Sequence, residues 1–324
     1  MIKTRITELF SIKHPIIQSG MQNVSKAELV SSVANAGALG FLSALTFRTP
    51  EELYKEINKT KNMTDNIFGV NLTILPSVRP IPYLEYADVI ANSGITVVET
   101  AGRSPEFLMD TFNRNKVKVI HKCTSIKHAK KAELLGCSAI TIDGFEAAGH
   151  PGEDDIPSLI LLPRAVEEVN VPIIACGGFS DARGVVAALA LGAEGVAMGT
   201  RFLVTKEAPV HQNIKEKIMK CNELDTRLIL RAFHNTARVF KNETSDAVYE
   251  IEKNAAVTFT DVADLVSGER GKVALDKGLT EEGILWAGLS SGLISDLPNV
   301  EYLISKLIID AKSILQRNLE KFYE

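Results

Sequence analysis

The sequence predicts an α/β protein built as a (β/α)8 TIM barrel with a smaller, mainly helical inserted cap domain, and three observations predict it. Eight short β-branched or apolar runs recur along the first two-thirds of the 324 residues. Between them lie segments with helical periodicity, an alternation that demands parallel strands with crossover helices. Glycines close several of those helices and lead straight into the next run.

The strand runs are residues 15–18, 38–42, 67–72, 95–99, 117–121, 139–143, 172–176 and 195–198. Helical periodicity fills 25–36, 50–58, 83–92, 125–135, 159–169 and 181–191. Thr49-Pro50-Glu51-Glu52 opens one helix with a cap residue, a proline at the first position and early acids. Gly94, Gly136 and Gly192 end helices just before strands. A doubly wound sheet fits less well, because eight units is the number that closes a barrel and no G-x-G-x-x-G follows the first strand. Residues 1–205 are assigned to the barrel and its binding site. Residues 206–275, charged and with an arginine-rich middle (Arg227, Arg231, Arg238), read as a helical cap. Residues 276–324 read as amphipathic helices, over 280–293 and 299–321, that pack back on the barrel.

Composition narrows the function classes. With 45% apolar and 23% charged residues, the chain has the make-up of an ordinary globular protein. The net charge of −4 is spread evenly, without a basic stripe, so nucleic acid is not expected as a partner and a small molecule is. No apolar run reaches the length of a membrane span, and no leader pattern follows Met1, which points to a cytoplasmic protein. Cys123, Cys137, Cys176 and Cys221 are widely spaced and read as reduced, structural thiols. The sequence leaves the oligomeric state open, a homodimer included.

In such a barrel the site is assembled from the loops after the strand C-termini, with phosphate gripped after strands seven and eight. Strand seven ends in Cys176-Gly177-Gly178-Phe179-Ser180, whose glycines let amides approach an anion next to a helix N-terminus. Strand eight ends in Gly199-Thr200, adding an amide and a hydroxyl. Gly20, Met21 and Gln22 follow strand one, Asn71 ends strand three, Lys122 follows strand five and Asp143 ends strand six. The loop Asp143-Gly144-Phe145-Glu146-Ala147-Ala148-Gly149-His150-Pro151-Gly152 then presents His150, the side chain whose ordinary pKa suits proton transfer near neutrality. Small residues before it leave room for a flat ring. The acids Glu153, Asp154 and Asp155 read as a solvated turn, and no metal site is assigned.

At this point a resemblance emerges. His14-Pro15-Ile16-Ile17-Gln18-Ser19-Gly20-Met21, Ala34-Asn35-Ala36-Gly37-Ala38-Leu39-Gly40, Gly69-Val70-Asn71-Leu72-Thr73, Gly144-Phe145-Glu146-Ala147-Ala148-Gly149-His150-Pro151-Gly152 and residues 193–201 closely resemble the nitronate monooxygenase family, also called 2-nitropropane dioxygenases. The likeness runs from about residue 5 to 205 and resumes near 286–294. It implies FMN as cofactor, contacted by Gly20, Met21, Gln22, Asn71, Lys122, Asp143, Ala148, Gly177, Gly178, Gly199 and Thr200, with His150 as the catalytic residue beside it. Lys122 would then stabilise the reduced ring from its N1–O2 edge. Many relatives carry Gly-Gln where this chain has Gly288-Leu289.

Two oxidoreductase activities follow from the resemblance. One oxidises alkyl nitronates or nitroalkanes with O2 to a carbonyl compound and nitrite. The other is NAD(P)H:quinone reduction, with NAD(P)H as co-substrate clasped by the cap and residues 76–82 (Pro76, Pro80, Pro82), because the loop motifs look most like that subgroup. Flavin-dependent enoyl-acyl-carrier-protein reductases share the barrel and a Gly-His loop but match less well around 152–155. A flavin-free barrel, using Lys122 as an amine or merely binding a phosphorylated ligand, is the reading from a different class.

Overall fold

The computed structural model describes residues 2–75 and 80–323. Eight parallel strands close into a barrel in simple sequence order. They are β1 (Ile16–Gln18), β2 (Leu39–Ser43), β3 (Gly69–Ile74), β4 (Val97–Gly102), β5 (Lys118–Cys123), β6 (Ala139–Asp143), β7 (Ile173–Cys176) and β8 (Gly195–Met198). The ring closes where Ile16 of β1 pairs with Val196 of β8 and Ile17 pairs with Leu39 on the other side. Each predicted run therefore became a strand. Strands β3, β4 and β5 extend two or three residues beyond the apolar runs, to Ile74, Gly102 and Cys123. Lys122 accordingly lies within β5 and not after it, and Asn71 lies inside β3.

The barrel interior has two tiers. Ile17, Leu39, Phe41, Val97, Ile120, Ala139, Ile174 and Ala197 form an apolar plug together with Ile6, Phe10 and Ile12. The last three belong to or follow α1 (Arg5–Phe10), a short helix absent from the sequence reading, which a Thr4/Thr7 capping box starts. Arg5 ties it to Glu194 just before β8. Above the plug, toward the strand C-termini, inward positions turn polar.

The outer layer consists of α2 (Ala27–Asn35), α3 (Pro50–Lys61), α4 (Tyr83–Asn92), α5 (Glu106–Arg114), α6 (Ile126–Leu134), α7 (Ser158–Glu168) and α8 (Ala182–Ala190). Sequence reading passed over α5, although Pro105-Glu106 is a start signal and Leu108, Met109 and Phe112 are its buried face. Thr49 caps α3 by accepting from the Glu52 amide at 3.3 Å, as its motif predicts. Gly136 and Gly192 leave their helices at φ +88° and +92°, a conformation a side chain would resist.

Beyond the barrel, α9 (Thr200–Leu203) and α10 (Gln212–Met219) precede a two-stranded antiparallel ribbon of β9 (Thr226–Ile229) and β10 (Ala237–Phe240), then α11 (Glu243–Ile251) and α12 (Gly268–Lys277). The ribbon is a departure from the mainly helical reading of this stretch. Its alternation was hidden by the arginines it carries. Ile229, Leu230, Ala237, Val239, Val248, Val262 and Ile284 give the segment a small core of its own. Residues 280–293 are not the amphipathic helix expected; they hold only a 3-10 turn, Leu289–Leu293, because Gly283, Gly288 and Gly292 let the chain thread closely past its neighbours. The final helix, α13 (Val300–Tyr323), packs against α8 and α2. No helix among the described residues is long and apolar enough to cross a membrane.

Candidate active site

A cavity of about 450 Å³ opens at the C-terminal ends of the strands. Gly20, Met21, Gln22, Asn71, Lys122, Asp143, Ala148, His150, Gly177, Gly178, Gly199 and Thr200 all line it. Residues from six strand ends and one long loop thus converge, as the barrel logic of the sequence requires. Residues 76–79 of the proposed nicotinamide-clasping loop lie outside the described residues.

The floor is a polar cage around Lys122. Its Nζ is 3.3 Å from Ser19 Oγ, 3.7 Å from Cys176 Sγ, 3.8 Å from Asp143 Oδ2 and 4.0 Å from Glu99 Oε1. Burial opposes the ammonium, but the Cys176 sulfur, Asp143 and Glu99 outweigh it and raise the lysine above its ordinary pKa. Burial likewise pushes the Cys176 thiol far up, so at neutral pH its sulfur is an uncharged neighbour of the lysine. Among the described residues no contact to Lys122 is as short as a good charge-assisted hydrogen bond, so these partners hold the ammonium only loosely. Asp143 Oδ1 is buried and has no hydrogen-bond partner among the described residues. A bare acceptor beside an underused donor complements a ligand edge that carries an N–H next to a carbonyl.

Glu99 is the residue sequence reading missed here. It is 1% exposed, accepts from Asn71 Nδ2 at 2.8 Å and from the Gly20 amide at 3.2 Å. Asn71 Oδ1 in turn accepts from Thr73 at 2.9 Å. Gly20 must be glycine, since a Cβ there would lie 2.2 Å from Asn71 Cβ. The signal was present: an acid at an inward position of an otherwise apolar strand, as in β6.

The anion cradle is made by Gly177 and Gly178, both at positive φ (+85° and +86°). Their amides and that of Gly199 donate to no acceptor among the described residues, and the buried Ser180 hydroxyl is also unpartnered. Thr200 Oγ1 accepts from the Gly288 amide at 3.1 Å, leaving its own proton available to a ligand. A Cβ on Gly178 would meet the Glu146 side chain at 3.2 Å rather than open cavity. That corrects the simple picture of this glycine as a gap for phosphate alone.

The roof is the loop bearing His150. Burial lowers the imidazole below its ordinary pKa, with Glu153 partly countering, so it is neutral at neutral pH. Trp286 packs against it, ring centroids 5.7 Å apart. Gly149 and Arg238 exchange both backbone hydrogen bonds (3.0 and 2.6 Å), and the Arg238 guanidinium donates to Phe145 O at 3.1 and 3.0 Å while lying over its ring. Glu153 accepts from the Thr236 amide at 2.8 Å and from its hydroxyl, and Asp155 pairs with Arg231 at 2.8 Å. Two of the three acids read as a solvated turn are therefore bound by the ribbon. Glu146 accepts at its carboxylate from the Ser158 amide (2.9 Å) and at its carbonyl from the Leu289 amide (3.0 Å). Leu289 thus contributes through a main-chain bond.

Comparison with known proteins identifies the chain's relatives. The family model described as nitronate monooxygenase matches residues 3–93 and 76–310. A dehydrogenase of Rhodococcus jostii, named for (3aS,4S,5R,7aS)-5-hydroxy-7a-methyl-1-oxo-octahydro-1H-indene-4-carboxyl-CoA, is 33% identical, with 96% of each chain covered. A probable nitronate monooxygenase of Staphylococcus aureus is 30% identical over 97% of this chain and 99% of its own. The structure of FabK from Thermotoga maritima superimposes with a TM-score of 0.92 at 30% identity, covering 99% of this chain and 100% of that one.

Proposed function

Because the chain belongs to the nitronate monooxygenase family of oxidoreductases, we propose that the barrel mouth binds FMN and that the protein oxidises alkyl nitronates with O2 to a carbonyl compound and nitrite. The observation that carries the reading is the unpartnered Asp143 Oδ1 beside the loosely held Lys122 ammonium, an acceptor and a donor matched to the imide edge of a flavin. The free amides of Gly177, Gly178 and Gly199 fit its phosphate. Bound FMN would supply the electron acceptor, reoxidised by O2. Lys122 would place its positive charge beside the imide edge of the bound ring and favour its negatively charged reduced form. His150 faces the same cavity, and its neutral imidazole donates a hydrogen bond to a nitronate or takes the α-proton of a neutral nitroalkane.

The Rhodococcus relative's name supports a second reading, in which electrons come from a CoA-linked substrate. Reduction by NAD(P)H with a quinone as acceptor is the third. Anaerobic stopped-flow mixing separates the first reading from the third: a yellow protein that is bleached rapidly by nitronate and slowly by NADH supports the proposal. Fast bleaching by NADH with none by nitronate would overturn it in favour of the reductase.

A further inference from the structure

Among the described residues Lys122 is the one cation in the cage, yet two acids flank it at nearly equal distances, 3.8 Å for Asp143 and 4.0 Å for Glu99. Asp143 keeps an unpartnered oxygen for the ligand. Glu99 does not: its Oε2 is occupied by Asn71 Nδ2 and the Gly20 amide, and its Oε1 faces Lys122. A buried carboxylate is costly unless paired and hydrogen-bonded, and this one is both while touching nothing that reacts.

Resting on the flavin reading above, we infer that Glu99 is a positioning residue that sets the reduction potential of the bound flavin by offsetting the Lys122 charge and by fixing the Asn71 and Gly20 side of its site. A carboxylate this close to the lysine weakens the field that favours the anionic reduced ring. It thereby keeps the flavin a milder oxidant than Lys122 alone would make it. The hydrogen bonds serve the second role. Through Asn71 the carboxylate fixes the amide that bonds Thr73, and through the Gly20 amide it fixes the turn after β1.

Glu99→Gln separates the two roles, because a single amide oxygen can accept both bonds that Oε2 now accepts. The variant protein should bind FMN with the parent's affinity and melt near the parent's temperature as apoprotein. Its flavin midpoint potential should shift upward, and the dissociation constant of its sulfite adduct should fall about tenfold. Glu99→Ala, which also loses the hydrogen bonds, should in addition bind FMN more weakly. Lys122→Met should shift the potential the opposite way, and combining it with Glu99→Gln should return the potential toward the parent's. That double variant carries the test if Glu99→Gln alone does not fold. A yellow, folded Glu99→Gln protein with the parent's potential and sulfite affinity would overturn the inference and leave the flavin reading standing. A parent protein that takes up no flavin would overturn both.

Discussion

Lys122, Asp143 and Asn71 stand on strands whose backbones are held by ladder hydrogen bonds on both sides, whereas His150 stands on a loop held by residues far away in sequence. The cage needs only the barrel: its partners are Glu99 within β4, Cys176 at the end of β7 and Ser19 just after β1. The roof needs three other pieces, the ribbon at Arg238, the chain at 286–289 and the start of α7 at Ser158. Removing a ligand-holding group or a hydrogen bond of the floor should therefore appear as weakened ligand binding. Damage to the roof's supports should appear as misaimed chemistry over a ligand still bound.

The sharpest test of the floor is Gly178→Val. At φ +86°, and with Glu146 3.2 Å from the added Cβ, the variant is strained whatever the ligand does, so it should lose both FMN and several degrees of melting temperature. Thr200→Val, which loses one hydroxyl and keeps the backbone amides, should retain colour with weaker binding. Equal FMN titrations of both variants would break the assignment of the cradle.

On the roof, His150→Asn should leave FMN affinity unchanged and lower kcat/KM for a neutral nitroalkane by about 10²–10⁴-fold, with a smaller loss for the pre-formed nitronate. The pH profile gives a second check. Burial lowers the His150 pKa, so the basic form is already present at neutral pH. Nitroalkane turnover should be flat above the ordinary histidine value and fall only on more acidic solutions. Equal losses on both substrate forms would remove proton abstraction from its role.

Arg238→Ala tests whether the ribbon seats the loop. It deletes the guanidinium bonds to Phe145 O but not the backbone pair with Gly149, and should lower kcat roughly tenfold with FMN affinity intact, from the loss of charge-assisted bonds worth about 1.5–3 kcal/mol. If colour is lost instead, floor and roof are not separable. The smallest change should come from Arg231→Ala, since its ion pair with Asp155 is exposed on both sides and such pairs contribute about 0–1 kcal/mol. A melting curve shifted by many degrees would mean that the exposed pair anchors the loop after all.

This division also explains what could be read from the sequence. Strand ends announce themselves through apolar runs that stop at a polar residue, so Asn71, Lys122 and Asp143 could be placed without coordinates. Gly177-Gly178 and Gly199-Thr200 followed from the same rule. Glu99 was equally legible and passed over, because it closes an apolar run in the same manner as Asp143. The roof was legible only as a loop. Nothing local in Ala237-Arg238-Val239 says that it pairs with Gly149, since that pairing is a matter of tertiary register. Nor does the glycine-rich stretch around Trp286 say what it lies against.

The chain order of these parts has a consequence for how the molecule comes into being. β8, which completes the barrel ring by pairing with β1, ends at Met198, while the bonds to the His150 loop come from Arg238 and Leu289. During synthesis the emerging polypeptide thus possesses every strand of its scaffold, and the residues of its cage and anion cradle, before the segments that aim its histidine exist.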